Sequence, residues 1–550
     1  MMKQLGFLSV ICFVGMVVVA TATVRYVPGE YPTIQTGIDA AADGDTVLVA
    51  DGTYSGDGNC DIDFRGKAIV VTSNNGSEAT IIDCQGSESD PHRGFCFQQG
   101  EGPHSVLKGF TIKNGYDREY GGGIHCFLSS PTIEGNKITG NEAFRGGGIS
   151  CQESSPTIVG NTIARNVAEA YAGGIICYES SPAIVDNIIT ENTAFRGGGI
   201  TCLLSSPTIE GNMIVENVAI RSGGGIRCGG ACPTIKSNAI AGNRAYRGGG
   251  ISCYESAPRI VGNAVIVNIA DGDYGGGIHC KDYSSPVIVC NTISGNSAIE
   301  AGGGIACYGP NASPTVLNSV LWANSAGSGS EIYVRETSTI EVTYSDIEGG
   351  WEGEGNIDAD PSFVLSEHHD YRLLWGSPCI DTGHPDSLDP DTTRSDMGAY
   401  PFDQSTPLTI YLCPDISVVT RPGELRVTYT LINIEPDDWT FWLQSDVFLP
   451  SGEGYPGNPI IGPLEVTMPG ETNFQTRLTH AVPGVAPVGV YTYVSRIDLL
   501  PDQPIDEDSF EFMVVELDVE RDQKGFDREL GDHRCGVCIS YRWCSEFLHQ

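Results

Sequence analysis

Basic residues are scarce in this chain: 31 Lys and Arg stand against 69 Asp and Glu, a formal charge of −38 over 550 residues. So acidic a surface repels phosphate backbones and anionic lipid headgroups, which excludes nucleic acid as a partner class. Past the first 22 residues no apolar run approaches the ~18 residues of a membrane-spanning helix. Sustained 3.6-residue periodicity is also missing, so a helical bundle is ruled out. What the chain has in excess is glycine, 70 residues, close to double the usual share. With 40% hydrophobic residues and 8% aromatics, this is not the composition of a disordered or collagen-like chain. The length suits two or three domains.

Met1–Ala22 reads as an export signal: Lys3 gives the positive start, Leu5–Val19 the apolar run and Ala20-Thr21-Ala22 the cleavage site. Cys12 lies inside the apolar run rather than after it, so it is not read as a lipidation site. The expected location is therefore secreted, extracellular or cell-surface.

Between Gly121 and Ala326 the pattern GGGIxCxxSSPTIxGNxIxxNxA occurs eight times, with Cys at 126, 151, 177, 202, 228, 253, 280 and 307. The steps are 25 to 27 residues, too short for a unit that folds alone, so each repeat must stack on its neighbours. Apolar positions alternate by two within a unit, as in Ile124 and Cys126, which is strand and not helix periodicity. Three short strands per unit are expected, separated by Gly-Gly-Gly, Ser-Ser-Pro and Asn turns. Stacking like residues every ~4.8 Å gives a right-handed parallel β-helix of about a dozen coils. The Ile before each Cys and the Ala two after the second Asn form core columns. Asn136, Asn161, Asn187, Asn212, Asn238, Asn263, Asn291 and Asn318 form an amide ladder with a scaffold role.

Of 19 cysteines, those in the ladder point the same way at a spacing unsuited to bridges and are read as buried thiols. Cys60, Cys84 and Cys96, or Cys228 with Cys232, are the disulfide candidates. Near the end, Cys535, Cys538, Cys544, His533 and His549 contain one CxxC without a second pair, and no metal is assigned to them.

The segment from Tyr26, YVPGEYPTIQTGIDAAADGDTVLVADGTYSG, predicts a short capping helix over Thr33–Ala42 followed by the first coils. It resembles the opening of pectin-lyase-like β-helix proteins, with Gly37 where that phrase usually has Ala. The resemblance implies an architecture shared by lyases, esterases and proteins without activity. Downstream, Asn356–Phe402 resembles the choice-of-anchor Q segment of secreted bacterial surface proteins, through Pro361, Phe363, Tyr371, Leu373, Ser377-Pro378, Ile380-Asp381, Gly383 and Asp396-Met397-Gly398-Ala399-Tyr400. Pro401 departs from the usual Glu. Asp381 and Asp396 are expected to fix turns rather than act as acids.

Six alternating strands between Leu408 and Val515 predict an immunoglobulin-like β-sandwich. The expected organisation is thus 1–22 signal, 23–120 cap and first coils, 121–326 repeat coils, 327–404 last coils, 405–517 sandwich and 518–550 tail.

The functional pattern is a column of aromatic–Arg pairs, Phe144-Arg145, Phe195-Arg196 and Tyr246-Arg247, repeating every 51 residues. Every second coil is roughly 9–10 Å, comparable to a disaccharide, and aromatic faces with guanidinium groups suit sugar rings and uronate carboxylates. The structural alternative is that each aromatic covers the preceding turn while its Arg neutralises acids such as Glu142. Phe127, Tyr178, Tyr254 and Tyr308 read as turn cover on another edge. Asp271, Asp273 and Asp282, the one compact acidic set in the repeats, lack the alternating spacing of a Ca²⁺ loop, and no long insertion walls a cleft. No catalytic or metal residue is assigned, and no cofactor is expected, Ca²⁺ being the one ion a lyase of this type would take. The expected function is structural or adhesive with polysaccharide as ligand; the alternative is a carbohydrate-active enzyme, a polysaccharide lyase or epimerase.

Overall fold

A computed structural model describes residues 22–335, 337–500 and 503–516. The export signal except Ala22, and the tail with Cys535, Cys538 and Cys544, lie outside the described residues.

The chain opens on strand β1 (Val24–Val27) and helix α1 (Ile34–Ala40). Thr33 caps the helix, its Oγ1 accepting the Thr36 N–H at 3.2 Å. Ile34 and Ile38 are buried and close the end of the core. A parallel β-solenoid follows, with four sheets of 13, 12, 11 and 9 strands. Each repeat contributes four strands, not three. One unit runs Ile124–Phe127, Thr132–Glu134, Lys137–Thr139 and Glu142–Arg145. The fourth arises because the second Asn of the unit, Asn141, makes its own bend, and the residues after it pair again with the next coil.

Like residues stack in register: Ile124 on Ile149, Cys126 on Cys151, and so on through Cys280 on Cys307. Every isoleucine and cysteine of these two columns is fully buried in one continuous core. The alanine column is buried from Ala143 to Ala298, with Ala326 half-buried at the last coil. Parallel strands whose side chains fill the interior bury the same apolar group once per coil, so the repeat itself provides the core. The glycine triplets have a steric cause. Gly146 has φ +67°, and a Cβ on Gly147 would lie 2.3 Å from the Val167 carbonyl oxygen.

Two asparagine ladders run the length of the repeats. In the first, the Oδ1 of each residue accepts the backbone N–H and the Nδ2 of the residue one coil earlier, as Asn187 does for Asn161 at 2.9 and 3.0 Å. The second, Asn141 to Asn324, repeats this geometry and ends on the Glu331 carboxylate. Asn318 does not belong to the first ladder. Asn291 passes its N–H to Ser319 Oγ at 3.1 Å, whereas Asn318 occupies the preceding left-handed position (φ 48°), like Cys290 (φ 51°) and Gly262 (φ 63°). Asn is among the few non-glycine residues that accept that conformation readily, so it replaced the turn glycine and Ser took over the ladder.

None of the described cysteines forms a disulfide, Cys60, Cys84, Cys96, Cys228 and Cys232 included. The disulfides considered for them do not form: Cys228 is buried in its column while Cys232 faces solvent.

The solenoid strands end at Asp346–Ile347. The chain then folds back along the outside of the 12-stranded sheet, where Tyr371 packs with Ala241, Ala264 and Ile266. Asp396 fixes turns there, accepting the N–H groups of Asp381 (2.8 Å) and Phe402 (2.7 Å), whereas the Asp381 carboxylate accepts the side-chain amide of Gln404 at 2.9 Å. Beyond it a three-stranded and a five-stranded sheet pack around Tyr429, Phe441, Tyr493 and Phe512. This sandwich has eight strands. Val418–Arg421 and Ile461–Met468 add to the six read from sequence. Among the described residues no helix is long and apolar enough to cross a membrane.

Candidate functional site

The residue before each glycine turn lies outside the solenoid, beside the 11-stranded sheet that carries the Ile–Cys columns. The pairing places Tyr120, Arg145, Tyr171, Arg196, Ser222 and Arg247 one above another on successive coils. The arginines therefore do not stand alone at every second coil: Tyr120 precedes Arg145, Tyr171 separates it from Arg196, and Ser222 separates Arg196 from Arg247. Arg145 lies 5.3 Å from the Tyr120 ring and 5.2 Å from that of Phe144, and its guanidinium donates to the Tyr120 hydroxyl. Arg196 repeats this two coils on, 5.6 Å from Tyr171 and 5.0 Å from Phe195, donating to the Tyr171 hydroxyl at 3.2 Å. Each guanidinium is thus held between two aromatic faces, which fixes its orientation while leaving N–H groups directed away from the rings.

The third pair differs. Arg247 lies 5.5 Å from Tyr246 but has Ser222 beneath it, and its guanidinium forms an ion pair with Asp273. Tyr246 and Phe144 are exposed and Phe195 is half-buried.

Another arginine joins the strip from a neighbouring strand. Arg227, on the outward side of strand Ile226–Gly229, reaches over Tyr171 at 5.5 Å, and its Nη1 is buried without a hydrogen-bond partner. A Cβ on Gly229 would meet that Nη1 at 2.9 Å, so glycine at this position makes the space. Burial, and then the neighbouring Arg196, lower the Arg227 pKa from its ordinary value. None of Arg145, Arg196 and Arg227 forms an ion pair among the described residues. On a chain of charge −38 they make a strip of uncompensated positive charge.

The floor beside this strip is the outward column His125, Ser150, Ile176, Thr201, Arg227, Ser252 and His279. Burial pushes His125 down to about 4 and His279 down to about 3, so both are neutral imidazoles rather than poised bases. Phe127, Tyr178 and Tyr254 are the outward residues two places further along the same strands, Phe127 stacking on His125 with ring centroids 6.4 Å apart, and at the last coils Tyr308 stacks on Tyr274 with ring centroids 5.0 Å apart. The acids Asp271, Asp273 and Asp282 are not brought together. They face Arg244 (2.7 Å), Arg247 and Lys281 (3.4 Å), respectively.

Sequence reading found Arg145, Arg196 and Arg247 but missed Tyr120, Tyr171 and Arg227. The signal was present: the residue at this position before the turn reads Tyr, Arg, Tyr, Arg, Ser, Arg through the first six repeats. A search for pairs that recur at 51 residues skips every alternate coil.

The family model described as "right handed beta helix region" matches residues 51–214 and 205–353, together more than half of the chain. The chain belongs to the right-handed β-helix family. No curated protein sequence matches it. Among solved structures it is similar to the sporulation control protein Spo0M from Bacillus subtilis, at 11% identity and TM-score 0.16 over 20% of this chain and 49% of that one. It is also similar to a Niemann-Pick type C2 protein from Japanese carpenter ant, at 12% identity and TM-score 0.16 over 20% of this chain and 92% of that one. The CARDB domain of the PF1109 protein from Pyrococcus furiosus gives 14% identity and TM-score 0.15 over 20% and 94%. The chain thus spans about half of the first of these structures, 49%, and scores this low carry no argument about function. Membership of the β-helix family fixes the scaffold and not a reaction.

Proposed function

We propose that this β-helix protein is secreted or held at a cell surface, and that it acts as a structural or adhesive element binding an anionic polysaccharide along the Tyr–Arg strip without turning it over. The observation that carries this reading is the unpaired trio Arg145, Arg196 and Arg227, two of them clamped by aromatic faces, on an otherwise acidic molecule. Guanidinium groups spaced by two coils, roughly 9–10 Å, match carboxylates on alternate residues of a uronate chain, and tyrosine rings offer flat faces to sugar rings.

The test is retention of the full-length protein on immobilised polygalacturonate, alginate and a neutral glucan, with unsaturated ends followed by ultraviolet absorption. Salt-sensitive retention on a uronate polymer, lost in Arg145→Ala/Arg196→Ala/Arg227→Ala, is expected, with no unsaturated product. Equal retention of the triple variant, or equal binding to neutral glucan, defeats the proposal. The enzyme alternative, a polysaccharide lyase or epimerase, is tested by the same assay. Appearance of unsaturated ends that depends on Arg227 would establish a lyase instead.

A further inference from the structure

At the N-terminal end of the solenoid, three side chains of different chemistry converge. The Cys60 Sγ, a carboxylate oxygen of Asp61 and an imidazole nitrogen of His92 all lie within 4.8 Å of one another. Cys60 and Asp61 come from the turn that enters strand Ile62–Asp63, and His92 from the turn that enters Phe95–Phe97 one coil later. Those two strands pair in parallel, and backbone bonds lock the turns together just ahead of them. The Asp61 N–H donates to the Arg93 carbonyl at 2.7 Å, and the Ile62 N–H to the Gly94 carbonyl at 3.0 Å. The Arg93 N–H returns to Asp61 Oδ1 at 3.0 Å, which leaves Oδ2 for His92 Nδ1 at 2.6 Å. Asp61 adopts a left-handed conformation, φ 51°.

From this arrangement we propose that Cys60, Asp61 and His92 form a binding site for one divalent d-block cation, with Zn²⁺ as the type ion. One thiolate, one imidazole and one carboxylate are the donor classes that tetrahedral zinc takes, and three protein ligands leave the fourth position for water. The ligands come from two adjacent coils of a rigid ladder rather than from a free loop, so few side-chain rotations stand between this geometry and coordination. Access is open on one side. The Cys60 thiol is 7% exposed, at the bottom, whereas the side chains of Asp61 (48%) and His92 (31%) form a mouth reached from solvent.

The surroundings favour a cation over the bare thiol. Besides Asp61, the carboxylates of Asp57 and Asp90 lie near enough to act electrostatically on Cys60. Asp90 Oδ1 lies 3.5 Å from His92 Nε2, placing a carboxylate behind the imidazole, the arrangement that orients a metal-binding histidine. Coordination replaces the thiol proton, which leaves to solvent, with a charge that the same carboxylates attract. A hard ion such as Ca²⁺ gains nothing from sulfur and nitrogen donors.

The experiment is a Co²⁺ titration of the full-length chain under a phosphine reductant, with Cys535, Cys538 and Cys544 replaced by Ser so that tail thiols do not contribute. One Co²⁺ per chain should bind, with thiolate-to-cobalt charge-transfer absorption that Zn²⁺ abolishes and excess Ca²⁺ does not. Cys60→Ser should lose the charge-transfer band, and His92→Ala should weaken binding roughly tenfold or more, both with unchanged far-ultraviolet circular dichroism. Zn²⁺ should raise the thermal midpoint of the parent and not that of Cys60→Ser. Absence of the band in the parent, its survival in Cys60→Ser, or dependence on the nearby Cys84 in place of Cys60 would each overturn the assignment.

Discussion

A single ladder asparagine holds five polar groups at once. The Nδ2 of Asn212 lies 2.8 Å from the Ile184 carbonyl, 2.9 Å from that of Glu210 and 3.0 Å from Asn238 Oδ1, and its Oδ1 accepts both nitrogens of Asn187. Alanine there leaves several buried groups without partners, each worth ~1–3 kcal/mol. Asn212→Ala should therefore destabilise the repeats by about 3 kcal/mol or more, read from the guanidinium chloride midpoint; a change below ~1 kcal/mol would mean that water replaces the amide. His279 makes the opposite case, because both its ring nitrogens are buried without partners. Burial, followed by the charges of Arg247 and Lys281, drives it from 6.5 down to about 3. The sign follows directly: above pH 6.5 neither state is protonated, and between 6.5 and about 3 the unfolded chain takes a proton that the folded chain refuses. Stability is thus full above that window and falls with pH inside it. His279→Thr should keep more of its neutral-pH stability at acid pH and unfold at a lower pH, since the column already accepts Ser252 and Ala306 at this level.

At the scale of strands, what the sequence disclosed depended on how strictly each column repeats. The Ile and Cys columns never vary, so their burial followed from spacing alone. The fourth strand escaped because Glu142–Arg145 carries only one buried residue, Ala143, between outward side chains. A short strand with one apolar position has no periodicity to read. The slip at Asn318 had a different cause, an asparagine standing in a turn position one place ahead of the ladder. The Tyr–Arg strip was half legible, because its two residue types become one column only after coils are stacked, and Arg227 entered it from another strand. Cys60, Asp61 and His92 lie in turns before the regular repeats begin, where no periodicity relates them. The buried columns do give a chemical prediction. Burial raises the thiols of Cys126 and Cys151 well above the ordinary value, whereas Cys232 is exposed. Thiolate is the reactive form. Native iodoacetamide labelling followed by peptide mass spectrometry should therefore mark Cys232 at least tenfold faster, on the order expected for exposed over buried thiols, and the column only after unfolding. Rapid native labelling of Cys151 would contradict a closed core.

At the scale of the molecule, solenoid and sandwich are joined by a buried charge cluster on an apolar seam. Val320 of the last coils and Ile432 of the sandwich share a core with Leu373, Met397 and Phe402 of the fold-back segment. Beside it Arg372 reaches across: it binds Asp370 at 2.7 and 2.9 Å, meets Asp508 of the sandwich at 2.9 Å and lies 4.0 Å from the Tyr411 ring. Asp508 also accepts the Leu412 N–H at 2.8 Å, so the same carboxylate ties two sandwich strands to the fold-back segment. Removing the guanidinium leaves Asp370 and Asp508 buried and facing each other, a loss of about 3–5 kcal/mol. That loss falls on the junction rather than on either core, because the isoleucine columns and the Tyr429–Tyr493 cluster are untouched. Arg372→Met keeps the apolar stem over Tyr411 while deleting the charge. In differential scanning calorimetry it should lower the sandwich transition and separate it from that of the solenoid, and limited proteolysis should cut faster between residues 375 and 407. The double variant Arg372→Met/Asp508→Asn should recover part of the loss, since one stranded carboxylate is then gone. Equal damage in the single and double variants would show that packing across the seam, and not the charge cluster, holds the two units together.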